Sequence, residues 1–220
     1  MKYQEVKDLL FKEKLVVIIR RVAPEKMGDL SKALVRGGIK LMEITFDQAS
    51  ATPLEDYKAC YTAVKEAVGD DLCVGAGTVM TVEQLECLYS CGGKFFLAPI
   101  TNEAVIRRAK ELDMVAIPGA MTPSEIAAAW EYGADMVKLF PADDVGYHYI
   151  QNIRGPMPHI PLMATGGVNP NTIPKFFDCG MNAFGTGITI VNRDMLNAGD
   201  FAGIEVLARE HVEAIKNYNT

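Results

Sequence analysis

The stretch "MVKLFPADD", residues 136–144, sets a lysine inside an apolar run. Met136, Val137, Leu139 and Phe140 surround Lys138, and Pro141 follows. On a solvent-facing strand such a lysine is ordinary. Strands of a parallel sheet are covered on both faces and read as near-continuous apolar runs, so a lysine there needs a reason. Which case applies is decided by the sequence on either side.

Similar short runs recur along the chain: "LVVIIR" (15–20), "IKLMEITF" (39–46), "LCVGA" (72–76), "KFFLAP" (94–99), "MVAIPG" (114–119), "DMVKLFP" (135–141), "IPLMAT" (160–165) and "NAFGTG" (182–187). Their starts lie roughly 20–33 residues apart, helix-like stretches fill the gaps, and another helix follows the last run. Eight βα units in a chain of 220 residues predict a parallel sheet closed as a (β/α)₈ barrel, with an extra helix at 2–12 before the first strand. The punctuation agrees. Thr122-Pro123-Ser124-Glu125 reads as a capping box with proline at the first helical position, and Thr81 with Gln84 reads as another. Asn169-Pro170 reads as a helix start, while Gly37-Gly38, Gly92-Gly93, Gly133 and Gly180 read as helix ends. An open doubly wound sheet is the rival architecture. "GAGTVM" (75–80) lacks the third glycine of a dinucleotide fingerprint, so a tight turn at a strand end is the better reading. No linker or low-complexity segment interrupts the pattern, so one domain is expected over 1–220.

Composition narrows the function classes. The net charge is −6 and no basic stripe stands out, which argues against a nucleic-acid partner. The longest aliphatic run, "LVVII" (15–19), is far too short to span a membrane. The charged N-terminal stretch is not that of a signal peptide, and five cysteines (60, 73, 87, 91 and 179) fit reduced thiols in a cytoplasm. Cys87 and Cys91 share a helix face, but no histidine or other cysteine lies near them in sequence, so no metal site is expected. His148, His159 and His211 form no ligand spacing, and His211 on the apolar stripe of the last helix reads as a packing residue.

Alternation along the strands separates two faces. In 39–46, Met42, Ile44 and Phe46 form the apolar set that should meet the surrounding helices, which turns Glu43 into the barrel with Leu41 and Thr45. In 135–141, Val137 and Leu139 should face the helices, so Lys138 also points inward. Arg20 closes the first strand and Thr78 follows the third, at the strand ends where barrel active sites are built. A structural Glu43–Lys138 ion pair is one reading, but burying such a pair often brings no net stability. The other reading is chemical. Desolvation lowers the pKa of a buried lysine. Its free amine attacks a ketone to form a Schiff base, which draws electrons from the adjacent C–C bond. A nearby carboxyl moves the protons. One inward lysine and one inward glutamate make the minimum set for an aldolase without metal or cofactor. Thr78 and Arg20 are placed to hold a substrate carboxylate, arginine through paired hydrogen bonds.

These residues resemble the class I aldolases of the KDPG/KHG family, which act on 2-keto-3-deoxy-6-phosphogluconate and 4-hydroxy-2-oxoglutarate. The resemblance rests on "VIIR" (17–20), "GGIKLMEITF" (37–46), "GAGTV" (75–79), "PGAMTPSE" (118–125), "VKLFPA" (137–142) and "ATGGVN" (164–169), in family order over nearly the whole chain. It implies a (β/α)₈ fold, a homotrimer, and reversible cleavage to pyruvate and an aldehyde. It gives the Schiff base to Lys138 and the general acid/base role to Glu43. It places Thr78 and Arg20 at the pyruvate carboxylate, and Pro99 and Phe140 in the same pocket.

The chain also departs from the family pattern. Asp47 stands where many members carry arginine or threonine, and Ala164 replaces the proline of the phosphate-end loop. Ile188, in "FGTGIT" (184–189), stands where a phosphate-binding hydroxyl is expected. Gly166, Gly167 and Gly185 remain in the two loops, with Thr165 and Thr186 as hydroxyl sources. Losing a donor at Ile188 and gaining a charge at Asp47 shifts the expectation towards an unphosphorylated substrate. A phosphate-binding isomerase or epimerase and a non-catalytic barrel are the competing classes. The first needs no imine at Lys138; the second would be expected to lose Lys138 or Glu43.

Overall fold

The computed structural model describes residues 1–218. In chain order the elements are α1 (Tyr3–Glu13), β1 (Leu15–Ile19), α2 (Pro24–Arg36), β2 (Leu41–Thr45), α3 (Pro53–Val68), β3 (Cys73–Gly77), α4 (Val82–Ser90), β4 (Phe95–Leu97), α5 (Glu103–Glu111), β5 (Val115–Ile117), β6 (Gly119–Ala120), α6 (Pro123–Glu131), β7 (Val137–Leu139), α7 (Ala142–Arg154), β8 (Leu162–Thr165), α8 (Ile173–Asp178), β9 (Ala183–Thr186), α9 (Arg193–Ala198) and α10 (Phe201–Tyr218). Every strand pairing is parallel, in the order β5-β4-β3-β2-β1-β9-β8-β7-β6. The expected barrel and its N-terminal helix are both present.

The nine strand segments are eight strands, because β5 and β6 are one strand broken at Pro118. β5 pairs with β4 and β6 pairs with β7, so the ring closes through this strand. Proline has no N–H to give to a ladder. Its carbonyl still accepts from Lys138 N at 2.8 Å, and Ala116 O accepts from Asp135 N at 2.9 Å.

Two apolar clusters show the alternation directly. The larger holds Val17, Met42, Ile44, Val74, Phe96, Ala116, Val137, Leu139, Leu162 and Phe184, which face the helices. The smaller lies inside the barrel and holds Val16, Leu41, Cys73, Phe95, Leu97, Val115, Ile117, Met136, Met163 and Ala183. Val6 and Leu10 of α1 belong to the inner cluster, so this helix plugs one end of the barrel. Buried Asp135 fixes the plug: it accepts from Lys7 (3.1 Å), Lys110 (2.7 Å), Ala116 N (3.0 Å) and the Tyr3 hydroxyl. The glycine helix ends are Schellman motifs. At Gly38, for example, the Gly38 and Ile39 amides return to Val35 O and Leu34 O with Gly38 at φ 90°. The same pattern ends α5 with Asp113 at φ 52°, a residue type that tolerates this region better than most.

Two helix-start expectations are corrected. Thr81 accepts from Gln84 N, but the Gln84 side chain takes the Met80 N–H at 2.7 Å, so no reciprocal box forms. Asn169 does not start a helix. Its side chain accepts from the Asn171 and Thr172 amides, closing a turn, and α8 begins at Ile173. The box at Thr122 and Glu125 is complete, with Pro123 at the first turn. Four of the five cysteines are buried, and burial pushes the Cys60, Cys73 and Cys87 thiols up to about 11, the behaviour of small core hydrophobes. No helix among the described residues is long and apolar enough to cross a membrane.

Candidate active site

The inner face of the barrel changes character along its strands. At the α1 end it is apolar. One step further on it carries Glu43 from β2 and Lys138 from β7, 2% and 6% exposed. Glu43 keeps its place because Gly77 of β3 has no side chain: a Cβ there would overlap the Glu43 carboxylate. Thr45 donates its hydroxyl to Glu43 Oε2 at 2.9 Å. The Lys138 ammonium lies 4.8 Å from the centroid of the Phe140 ring.

Burial dominates the electrostatics of both groups. It pushes the Glu43 carboxyl up to about 7, against the pull of Lys138, the Thr45 hydrogen bond and Arg20. It brings Lys138 down to about 8; Glu43 opposes that fall and Arg20 adds to it. Each group therefore exchanges its proton near neutrality, which suits a nucleophilic amine and a proton carrier in one chamber. The two form no direct ion pair among the described residues.

Two cavities meet at Arg20 and Phe140, which line both. One, of about 490 Å³, is lined by Arg20, Thr45, Asp47, Gln48, Thr78, Pro99 and Phe140, among others. Thr78 sits there at φ 54°, a strained conformation for a β-branched residue. A glutamine clamp holds it: Gln48 Nε2 donates to Thr78 O at 2.9 Å, and Gln84 Nε2 donates to Gln48 Oε1 at 3.1 Å. The other cavity, of about 570 Å³, is lined by Thr165, Gly166, Gly167, Gly185 and Thr186, with Asp143, Ile188 and Arg193. The Thr165 hydroxyl is buried without a hydrogen-bond partner among the described residues. A Cβ at Gly185 would lie 2.7 Å from it, so the glycine leaves it room.

The residues singled out from sequence thus fall close together: Lys138 and Glu43 line neither cavity but are buried beside Phe140 and Thr45, which do; Arg20, Thr78, Pro99 and Phe140 line one cavity, and Thr165, Gly166, Gly167, Gly185 and Thr186 the other. Asp47 is not the free charge expected at the distal end. It accepts from Arg21 Nε at 3.0 Å and Nη2 at 3.3 Å, and it lines the Thr78 cavity. Ile188 lines the distal cavity, 78% exposed, with no polar group to offer there. The sequence reading missed Arg193, which donates to the carbonyls of Arg20 (2.7 Å) and Arg21 (2.9 Å) and so pins the exit of β1. It also missed the Gln48–Gln84 clamp and Asp143, packed against Gly166 and Gly167. Only three-dimensional proximity unites these side chains; no spacing in the chain marks them.

Comparison with known proteins gives the family. The sequence pattern of the KDPG and KHG aldolase family matches residues 6–207. A KHG/KDPG aldolase of Escherichia coli (strain K12) is 32% identical over 202 residues, 91% of each chain. A probable 2-dehydro-3-deoxy-6-phosphogalactonate aldolase of Rhizobium meliloti (strain 1021) is 35% identical over 187 residues, 84% of this chain and 85% of that one. Among solved structures, a native KDPGal structure superposes with a TM-score of 0.82 at 27% identity, covering 93% of this chain and 95% of that one. A KDPG aldolase from Legionella pneumophila, with pyruvate captured at low pH as a covalent carbinolamine intermediate, shares the fold with a TM-score of 0.81 at 23% identity, over 92% and 96% of the two chains. The chain belongs to the KDPG and KHG aldolase family and is an aldolase of the lyase class.

Proposed function

We propose that this aldolase cleaves a 2-keto-4-hydroxy acid reversibly to pyruvate and an aldehyde through an imine on Lys138, with Glu43 carrying the protons. The observation that carries the reading is the burial of one lysine and one glutamate on the inner barrel wall, each with its proton affinity moved towards neutrality. The Lys138 amine attacks the C2 ketone, and the Glu43 carboxyl protonates the oxygen so that it leaves as water. Glu43 then takes the proton of the C4 hydroxyl. The C3–C4 bond breaks, its electron pair passing into the iminium to give an enamine, and the aldehyde departs. Protonation of the enamine carbon and addition of water to the imine release pyruvate and restore the amine.

Arg20 and Thr78 hold the substrate carboxylate, with Pro99 and Phe140 as the walls of that cavity. The distal end of the substrate lies against Thr165, Gly166, Gly167, Gly185 and Thr186. Ile188 offers no hydrogen bond there and Asp143 adds a negative charge, while Arg20 and Arg193 add positive charge; phosphorylated and unphosphorylated substrates are therefore discriminated weakly. The relatives are named both for KHG/KDPG and for a phosphorylated 2-dehydro-3-deoxy acid, which fits an open choice at this end. The reading takes the chain as one catalytic domain working in the cytoplasm as a homotrimer, the assembly that the family resemblance implies. The test is coupled measurement of pyruvate release from 2-keto-3-deoxy acids by the wild type, Lys138→Arg and Glu43→Gln. Arginine stays protonated and glutamine carries no transferable acid proton, so near-normal turnover in either variant would overturn the assignment.

A further inference from the structure

The exit of β1 breaks the alternation of its strand. Leu15, Val17 and Ile19 pack outward among the helices, Val16 packs inside the barrel, and Ile18 lines the distal cavity. Arg20 is the next inward position, and it lines both cavities. Continued alternation would turn Val22 inward too, yet Val22 belongs to the outer cluster. The break falls at Arg21, whose φ of 52° is a left-handed conformation that a residue with a Cβ disfavours. A bend of that kind persists only where its surroundings hold it.

The holding groups come from two other elements. The Arg193 guanidinium donates through Nη2 to Arg20 O at 2.7 Å and through Nη1 to Arg21 O at 2.9 Å. Both carbonyls lie beyond the last pairing of β1 with β2, at Ile19 and Ile44, so the ladder does not reach them. A planar fork spans two successive carbonyls; a single ammonium does not. The Arg21 side chain is tied in turn to Asp47 at the exit of β2, at 3.0 and 3.3 Å. Arg193 stands on a fixed base, the first residue of α9. Asn192 caps that helix by accepting from the Asp194 and Met195 amides, and Lys26 of α2 donates to Leu196 O at 2.9 Å.

We propose that Arg193 is a positioning residue for the aldol cleavage: by tying both carbonyls of the β1 exit to α9, it keeps the Arg20 guanidinium turned into the site, where that group takes the carboxylate of the keto acid. This rests on the role given to Arg20 above. Displacing Arg20 carries a second signature. Its charge helps to lower the proton affinity of Lys138, against the opposing pull of Glu43, so a retreating Arg20 leaves Lys138 protonated to higher pH.

Pyruvate is the probe, because it ends in a methyl group and has nothing to offer the distal cavity that Arg193 also lines. The pyruvate concentration for half-maximal trapping on Lys138 with cyanoborohydride, and the pH midpoint of trapping, are measured in wild type, Arg193→Met, Arg193→Lys, Arg20→Met and the double variant Arg20→Met with Arg193→Met. Arg20→Met is expected to raise the half-maximal concentration about 10- to 100-fold, the value of a hydrogen bond to a charged group. Arg193→Met should cost part of that, about 3- to 10-fold, and move the midpoint to higher pH. Arg193→Lys, which keeps the charge but not the fork, should lose most of the same amount. The double variant should stay within about twofold of Arg20→Met, since Arg193 acts through Arg20. Wild-type behaviour in Arg193→Met or Arg193→Lys, or losses that multiply in the double variant, would overturn the proposal alone. Unchanged trapping in Arg20→Met would overturn the role of Arg20 and the proposal with it, and no adduct in the wild type would overturn the imine reading as well.

Discussion

Glu43 occupies the space that Gly77 leaves empty: a methyl group on residue 77 would overlap its carboxylate. One strand therefore sets the position of a side chain on the next, since β2 and β3 run in register with Thr45 beside Gly77. Gly77→Ala should fold and keep Lys138, yet displace the carboxyl from its working position. Turnover is expected to fall by roughly 10- to 100-fold, less than the ~10²–10⁴ expected for Glu43→Gln, because a displaced acid still moves protons at a reduced rate. Steady-state kcat of the two variants checks this; wild-type turnover in Gly77→Ala would show that the position of Glu43 is not critical.

The proton affinity of Lys138 predicts a pH profile. Burial lowers its pKa to about 8, and the neutral amine is the nucleophile. Imine formation with pyruvate should rise with pH and level off near 8, where an exposed lysine would still be climbing. The measurement is the rate of adduct formation with pyruvate and cyanoborohydride across that range. A limb that climbs past pH 10 would contradict the assignment.

The same shift has a stability consequence. The pKa of Lys138 falls from 10.5 to about 8 on folding. Below about 8 both folded and unfolded chains carry the ammonium, and the fold bears its full burial cost, on the order of 3 kcal/mol at 1.36 kcal/mol per pKa unit. Between about 8 and 10.5 the unfolded chain binds more protons, so stability rises with pH as that cost fades. Lys138→Met should therefore be more stable than wild type at pH 7, by about 2–3 kcal/mol, with the advantage shrinking above pH 8. Glu43 does not become a stranded charge in this variant, because at a pKa already about 7 it takes up a proton. Urea unfolding at two pH values gives the comparison.

The distal cavity predicts a specificity change. Ile188 lines it without a hydrogen-bonding group. Ile188→Ser should improve kcat/KM for a phosphorylated 2-keto-3-deoxy acid by about one to two decades, the value of a hydrogen bond to a charged group, and leave 4-hydroxy-2-oxoglutarate nearly unchanged. A strong wild-type preference for the phosphorylated substrate, with no gain from the serine, would mean that another group, such as Arg193, already holds the phosphate.

Much of this was legible in the chain because the governing rules are local. Alternation in 39–46 and 135–141 turned Glu43 and Lys138 inward, and the two apolar clusters place their neighbours as that reading requires. The glycines at 38, 92, 133 and 180 marked helix ends because left-handed backbone selects them. Asp113 escaped notice since it makes the same turn without a glycine. At Asn169 two outcomes share one signature: asparagine before proline serves a helix cap or a closed turn, and the amides of residues 171 and 172 decide. Arg193 clamping Arg20 and Arg21, and His211 reaching Thr189, were not legible at all. The first spans 172 residues and needs β9 to pair with β1; the second, over 22, needs α10 to fold back on the loop after β9.

The central claim is that Lys138 captures the keto acid. Pyruvate and borohydride are added to the wild type, the intact mass is read, and the modified peptide is sequenced. The account predicts a single reduced pyruvyl group on the peptide containing Lys138 and none in Lys138→Arg, whose guanidinium stays protonated. A label on another lysine, or no label under conditions where the enzyme turns over, would contradict it.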